Sequence, residues 1–281
     1  MRTWVSSSRR SFVALFAAAH GGPTLLVTAV ASLLALGTER GLGTLWVTAA
    51  VLCGQCSVGW SNDWFDRDED LRAQRSDKAL VRGDCSLAVV RAGALTALVL
   101  CIPLSFASGW QAAAVHFAAI ASAWIYNGFM KQSLLSPLPY AISFGLLPAF
   151  ITLGMATPTW PRWIYMVAAA TLGLGAHFLN SLPDLAADQR SGRKGLPQRL
   201  GSRLTLWIGV GLVFVSLAML VVGSRDTFLA IVCGLCGMLT LGMVVLTGMR
   251  KQERAAWHWT LLTAGVVVVL FVASGRSLVS G

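Results

Sequence analysis

The chain has 281 residues, 56% of them apolar and only 12% charged, with a mean hydropathy of +0.67. A soluble domain of this size carries about twice that charge, so the composition indicates a polytopic membrane protein formed by one domain, residues 1–281. The net charge of +10 does not point to nucleic acid, because the basic residues sit in short loops between apolar runs, as membrane topology produces.

An α-helix needs about 20 residues to cross the hydrocarbon core. Measured against that length, the apolar runs give nine spans, at 16–37, 43–62, 86–107, 110–128, 136–156, 163–182, 203–223, 227–248 and 257–274. The expected fold is an all-α membrane protein: nine transmembrane helices forming one bundle around a central cavity. Arg2, Arg9 and Arg10 precede an apolar run that is too long for a signal peptide and lacks a small-residue cleavage site, so no cleaved leader is expected. With nine spans, 18 of the 22 Lys and Arg residues fall on one side, and Arg40, Arg162, Arg225 and Arg276 on the other. The positive-inside rule then puts the N-terminus in the cytoplasm and the C-terminus outside, in the plasma membrane.

The second span ends in Asn62-Asp63-Trp64-Phe65-Asp66-Arg67-Asp68-Glu69-Asp70, five carboxylates in nine residues. On a continuing helix, Asn62, Asp66 and Asp70 fall at i, i+4 and i+8 on one face. Three hard oxygen donors at the mouth of a membrane helix suit a divalent cation such as Mg²⁺, whereas Asp68 and Glu69 fall off that face and read as surface charges. Two Cys-x-x-Cys pairs, Cys53/Cys56 and Cys233/Cys236, lie inside apolar runs without a nearby histidine and read as small packing residues rather than a zinc site. Trp4, Trp46, Trp110, Trp160, Trp163 and Trp257 lie near span ends, as an aromatic belt does.

At the end of the sixth span, Asn180, Asp184 and Asp188 repeat the spacing of Asn62, Asp66 and Asp70, and Pro183 breaks the helix inside the repeat. A basic stretch follows each cluster, from Leu71 to Gly83 and from Gln189 to Gly201. Two converging carboxylate clusters repel unless cations lie between them, and two Mg²⁺ ions satisfy that need. The ions call for phosphate oxygens, the basic loops can hold a diphosphate, and the apolar bundle has room for a hydrocarbon tail. A prenyl diphosphate combines those features. His177, one turn before Asn180, is read as a packing histidine, with contact to an acceptor as the alternative; His20, His116 and His258 are assigned to packing or interfaces.

These residues resemble the UbiA-type intramembrane prenyltransferases over nearly the whole chain, through the nine spans, N-D-x-x-D-x-x-x-D after the second and D-x-x-x-D after the sixth. Members also carry a Tyr and a nearby Lys after the fourth span. Tyr126-Asn127-Gly128-Phe129-Met130-Lys131 supplies both, with one more intervening residue than the commonest form, and Ala79 stands where many members have Pro. The resemblance implies that Asn62, Asp66 and Asp70 hold one Mg²⁺ and Asp184 and Asp188 the other. It further implies that Arg75, Lys78, Arg82, Lys131, Arg193 and Lys194 bind the diphosphate, with Asn180 as a ligand or hydrogen-bond partner. Asp63 would orient basic neighbours, and Tyr126 would shelter an allylic cation.

The implied reaction is Mg²⁺-dependent transfer of a prenyl group from a prenyl diphosphate to an aromatic or quinone-like acceptor in the membrane. A terpene cyclase of the same family, acting without a separate acceptor, shares every one of these motifs. A transporter or scaffold is the reading from another class, and the two matched acidic clusters argue against it. No obligate protein partner and no nucleic acid are expected.

Overall fold

The computed structural model describes residues 15, 18–190 and 192–279. Arg2, Trp4, Arg9 and Arg10 lie outside them. The described residues form eleven α-helices: α1 Gly21–Gly37, α2 Gly43–Arg72, α3 Ala79–Arg82, α4 Leu87–Phe106, α5 Trp110–Ile125, α6 Leu138–Thr152, α7 Trp163–Ser181, α8 Leu185–Arg190, α9 Leu196–Gly223, α10 Thr227–Met249 and α11 Glu253–Ala273. A π-helical turn, Tyr126–Met130, extends α5, and a 3₁₀ turn, Gly275–Ser277, follows α11.

Five of these helices, α4, α7, α9, α10 and α11, are long and apolar enough to cross a bilayer. The nine apolar runs of the sequence correspond to the nine helices left when the short α3 and α8 are set aside, but α1 and α6 have only 17 and 15 residues. Each of the nine packs on the next, and α11 returns to α1, so that the described helices close a ring. Its interior is packed by small and β-branched residues such as Ala31, Val47, Ala50, Ala149, Ala168 and Val267, which let helices approach closely in the absence of a hydrophobic drive between them. Outward-facing Leu25, Val99, Phe214, Leu239 and Val269 stay exposed, as a lipid-facing surface requires. Trp46, Trp110, Trp160 and Trp163 are exposed near helix ends.

Several helix ends differ from the sequence spans, and two of them matter for the site. The run that ends at 62 continues as helix, as the one-face reading of Asn62, Asp66 and Asp70 required: no Gly or Pro lies between Gly59 and Arg72, so α2 runs through the acidic motif to Arg72. α9 begins at Leu196, not 203, and bends at Gly201 (φ 78°, ψ 169°), a left-handed position that glycine takes without a Cβ clash. The acidic repeat on α7 is broken as Pro183 demands, with α7 ending at Ser181 and α8 beginning at Leu185.

Candidate active site

The two acidic motifs end in the same device. After α2, Gln74 turns left-handed (φ 50°), and Arg75 N–H donates to the Asp70 carbonyl at 3.0 Å. After α8, Gly192 turns left-handed (φ 84°), and Arg193 N–H donates to the Asp188 carbonyl, also at 3.0 Å. These six-to-one closures satisfy helix-end carbonyls and reverse the chain. Each places an arginine directly after the turn: Arg193 returns to Asp188 at 3.3 Å, whereas Arg75 pairs with Asp77 at 2.8 Å, so the repeat seen in sequence is a repeat of the backbone turn.

Both devices open on one cavity of about 410 Å³. Asn62, Asp66 and Asp70 of α2 line it, with Asn180 of α7, Asp184 of the break between α7 and α8, and Asp188 of α8. Arg75, Lys78, Lys131 and Arg193 supply its positive charge. Beyond the charged mouth the wall becomes apolar and aromatic, with Val27, Val58, Ala123, Tyr126, Tyr140 and Phe144. Tyr126 and Tyr140 meet edge to face with centroids 5.1 Å apart, and the His177 ring lies 4.6 Å from Tyr140. His177 therefore faces the cavity, and its Nε2 also sits 3.4 Å from the buried Ser136 hydroxyl.

Lys131 reaches the cavity through the π-helical turn. Its N–H donates to the Tyr126 carbonyl at 3.0 Å, five residues back, and this wide turn absorbs the residue between Tyr126 and Lys131 that exceeds the commonest spacing. The Nζ of Lys131 then pairs with Asp66 Oδ2. Asn127, buried on the same turn, donates to Val58 O at 3.0 Å and Ser61 Oγ at 2.8 Å, and accepts from Asn62 at 3.3 Å, which fixes the turn to α2.

The remaining candidates are placed as follows. Asp63 does not line the cavity; it is buried behind it, with Lys78 Nζ 2.6 Å and His20 Nε2 3.0 Å from its Oδ1. Arg82 turns away to Asp84 and to the carbonyls of Ser76 and Asp77, so it shapes the loop and does not line the cavity. Lys194 is exposed and also stands outside it. Two sequence assignments are corrected. Glu69 is not a surface charge: it is half-buried, pairing with Arg193 and accepting from Gln132 at 3.3 Å. His20 is not a packing residue alone, since it lines the cavity. A lone histidine before a Gly-Gly-Pro gave no signal of that role, and neither did Gln55 or Gln198, which also line the cavity.

Charge in the loops is tuned by these contacts. The hydrogen bonds that Arg75 donates to Asp77 raise the guanidinium above its ordinary value, and the same contact lowers Asp77 below the usual carboxylate range. Burial pushes Asp188 up, against the opposing pull of Arg193 and Gln198. Burial alone would lower Arg193, but Glu69 and Asp188 outweigh it and raise the group.

Among the described residues no three His, Cys, Asp or Glu side chains already stand as a closed metal cluster. The donor chemistry nevertheless fits a hard divalent cation, because Asn62, Asp66, Asp70, Asp184 and Asp188 bring only oxygen-donor side chains of the right kind to one cavity. In this structure the cationic ends of Lys131 and Arg193 provide the positive charge that Asp66 and Asp188 require.

Residues 22–275 match the UbiA prenyltransferase family. Among solved structures, that of a digeranylgeranylglyceryl phosphate synthase superposes with a TM-score of 0.70 at 14% identity, covering 95% of this chain and 99% of that one. A UbiA homologue from Aeropyrum pernix gives 0.67 at 18% identity over 88% and 98% of the two chains. A UbiA homologue from Archaeoglobus fulgidus bound to GPP and Mg²⁺ gives 0.65 at 13% identity over 93% and 98%. At such identities the likeness is one of fold. No curated protein sequence matches the chain.

Proposed function

The chain belongs to the UbiA prenyltransferase family, and on that footing we propose that it moves a prenyl group from a prenyl diphosphate to an aromatic or quinone-like acceptor within the membrane, with Mg²⁺ as cofactor. It is a multi-pass integral membrane protein and a transferase of prenyl groups. The observation that carries the proposal is the convergence of both acidic motifs and both arginine-bearing turns on one cavity whose inner wall is aromatic and apolar.

Asn62, Asp66 and Asp70 would hold one Mg²⁺, and Asp184 and Asp188 a second. Bound there, the ions supply Lewis-acid stabilisation of the departing diphosphate. Arg75, Lys78, Lys131 and Arg193 donate to its outer oxygens, with the arginines offering planar forks and the lysines point charges. Asn180 adds an amide at the cavity mouth. Arg82 and Lys194 act from outside, by shaping the loops. Asp63 orients Lys78. Tyr126 turns its ring to the allylic cation, and with Tyr140 and Phe144 keeps water from it.

His177, Ser143 and Gln55 place polar side chains on the inner wall. A cavity that only folds a hydrocarbon cation upon itself gains nothing from them, whereas a ring acceptor bearing oxygen finds hydrogen-bond partners there. That favours transfer over cyclisation. The domain is one unit, residues 1–281, with nine spans around the cavity. Its N-terminus and active site face the cytoplasm of the plasma membrane, following the distribution of 18 of 22 basic residues.

The test is diphosphate release in detergent or lipid with Mg²⁺ and a series of prenyl diphosphates, with and without quinone-like acceptors, alongside Asp66→Ala and Asp184→Ala. The expected result is release that needs Mg²⁺, rises on adding acceptor and is lost in both variants. A cyclic product without acceptor would replace this proposal with the cyclase. Folded protein that releases no diphosphate from any substrate would end it.

A further inference from the structure

His20 closes the approach to α1 in a left-handed conformation (φ 52°, ψ 56°). Just before it, the Ala19 carbonyl lies against Gly59 of α2, where an added Cβ would stand 2.3 Å from the oxygen. Glycine alone permits so close a backbone approach. One turn further along the same face of α2 comes Asp63, and His20 Nε2 lies 3.0 Å from its Oδ1. Lys78 Nζ is 2.6 Å from that oxygen and 3.0 Å from Nε2, so the three atoms form a triangle. His20 and Lys78 line the cavity, while Asp63 is only 2% exposed.

Nε2 accepts a hydrogen bond from Lys78 or donates one to Asp63, but cannot do both at once. With Lys78 held by Asp63 and His20, at most one of its three N–H donors is left for a diphosphate. If Lys78 simply leaves, a buried carboxylate loses its cation, which is among the costlier events inside a protein. We propose that His20 is a positioning residue that releases Lys78 to the diphosphate: as Nζ turns to the phosphate oxygens, Nε2–H takes its place on Asp63 Oδ1. The imidazole changes from acceptor to donor at Nε2 by exchanging its tautomer: Nδ1 gives up its proton, Nε2 gains one, and no bond between heavy atoms changes. The inference rests on the reading of Lys78 as a diphosphate ligand.

The experiment measures binding of inorganic diphosphate with Mg²⁺ to the full-length protein in detergent, by calorimetry. His20→Gly preserves the left-handed turn and removes the ring; His20→Gln keeps an amide that both donates and accepts. The expected outcome is an affinity about tenfold weaker for His20→Gly and near wild type for His20→Gln. In an Asp63→Asn background, where no buried charge needs a second partner, His20→Gly should cost nothing further. Wild-type affinity in His20→Gly together with weakened binding in Lys78→Ala would overturn the role of His20 while leaving Lys78 as a ligand. Additive losses in the double variant would overturn it as well. Unchanged affinity in Lys78→Ala would remove the reading of Lys78, and this inference with it.

Discussion

Arg193 and Glu69, 124 residues apart, are joined by a hydrogen bond across the mouth of the cavity. The pair links the end of α2 to the turn after α8, so the first acidic motif steadies the basic loop that follows the second. Asp188 holds the same guanidinium from its own side at 3.3 Å. Replacing Glu69 by Gln should therefore loosen Arg193 without freeing it, and lower kcat/KM for the prenyl diphosphate about fivefold. Asp68 is 80% exposed and paired only with adjacent Arg67, so Asp68→Asn should leave kcat/KM unchanged. Diphosphate-release kinetics on the two variants compare a buried bridge with a solvated one.

The π-helical turn predicts tolerance where loss would be the usual expectation. Tyr126 and Lys131 share a face because the turn bonds five residues back; in an α-helical turn a spacing of four does the same. Deleting Phe129, which is 82% exposed, should convert one turn into the other and keep both side chains on the cavity. The deletion is expected to retain activity within about tenfold, and Lys131→Ala to lose more than about a hundredfold. Release assays on both, with unfolding curves to confirm the fold, check the pair.

Tyr165 is fully buried and donates its hydroxyl to the Gly223 carbonyl at 2.6 Å, fastening α7 to the end of α9. Tyr165→Phe leaves that carbonyl without its partner. A loss of about 1–2 kcal/mol in detergent unfolding is expected, with unchanged turnover at temperatures where the protein stays folded.

His177 presents its ring to the cavity beside Tyr140 and its Nε2 to Ser136. His177→Phe keeps the ring and removes the polar edge. Affinity for Mg²⁺ and diphosphate should stay the same, while transfer to acceptor falls about tenfold. Separate measurement of diphosphate binding and product formation distinguishes this from a defect in the charged mouth.

The charged mouth was legible in the sequence because its logic is periodic. Donors four residues apart share a helix face whatever surrounds them, and Asn62, Asp66 and Asp70 obey that on α2. The second set was legible as a repeat of the first, although its helix breaks before Asp184. What escaped depends on contacts distant in the chain. Glu69 looked solvated because its partner lies on a turn after another helix, and His20 looked like a packing or interface residue because Asp63 and Lys78 reach it from two other segments. Arg82 is a diphosphate candidate by resemblance to the family, and neighbouring acid and carbonyl oxygens hold it outside the cavity lining. The start of α9 was placed seven residues late because Arg199 and Arg203 made its first turns look like loop.

α2 runs unbroken for 30 residues, about 45 Å at 1.5 Å per residue. Asn62, Asp66 and Asp70 thus ride together on one stiff rod, whose first part is the second of the apolar runs. Asp188 rides on α8, only six residues long and hinged to α7 by the break at Pro183. A bilayer that thickens or thins tilts a long rod and has far less purchase on a short hinged segment at the surface. The gap between the two halves of the site is therefore expected to respond to acyl-chain length. Turnover in reconstituted vesicles should peak at one lipid thickness and fall on either side, so that the surrounding membrane sets the register of the chemistry.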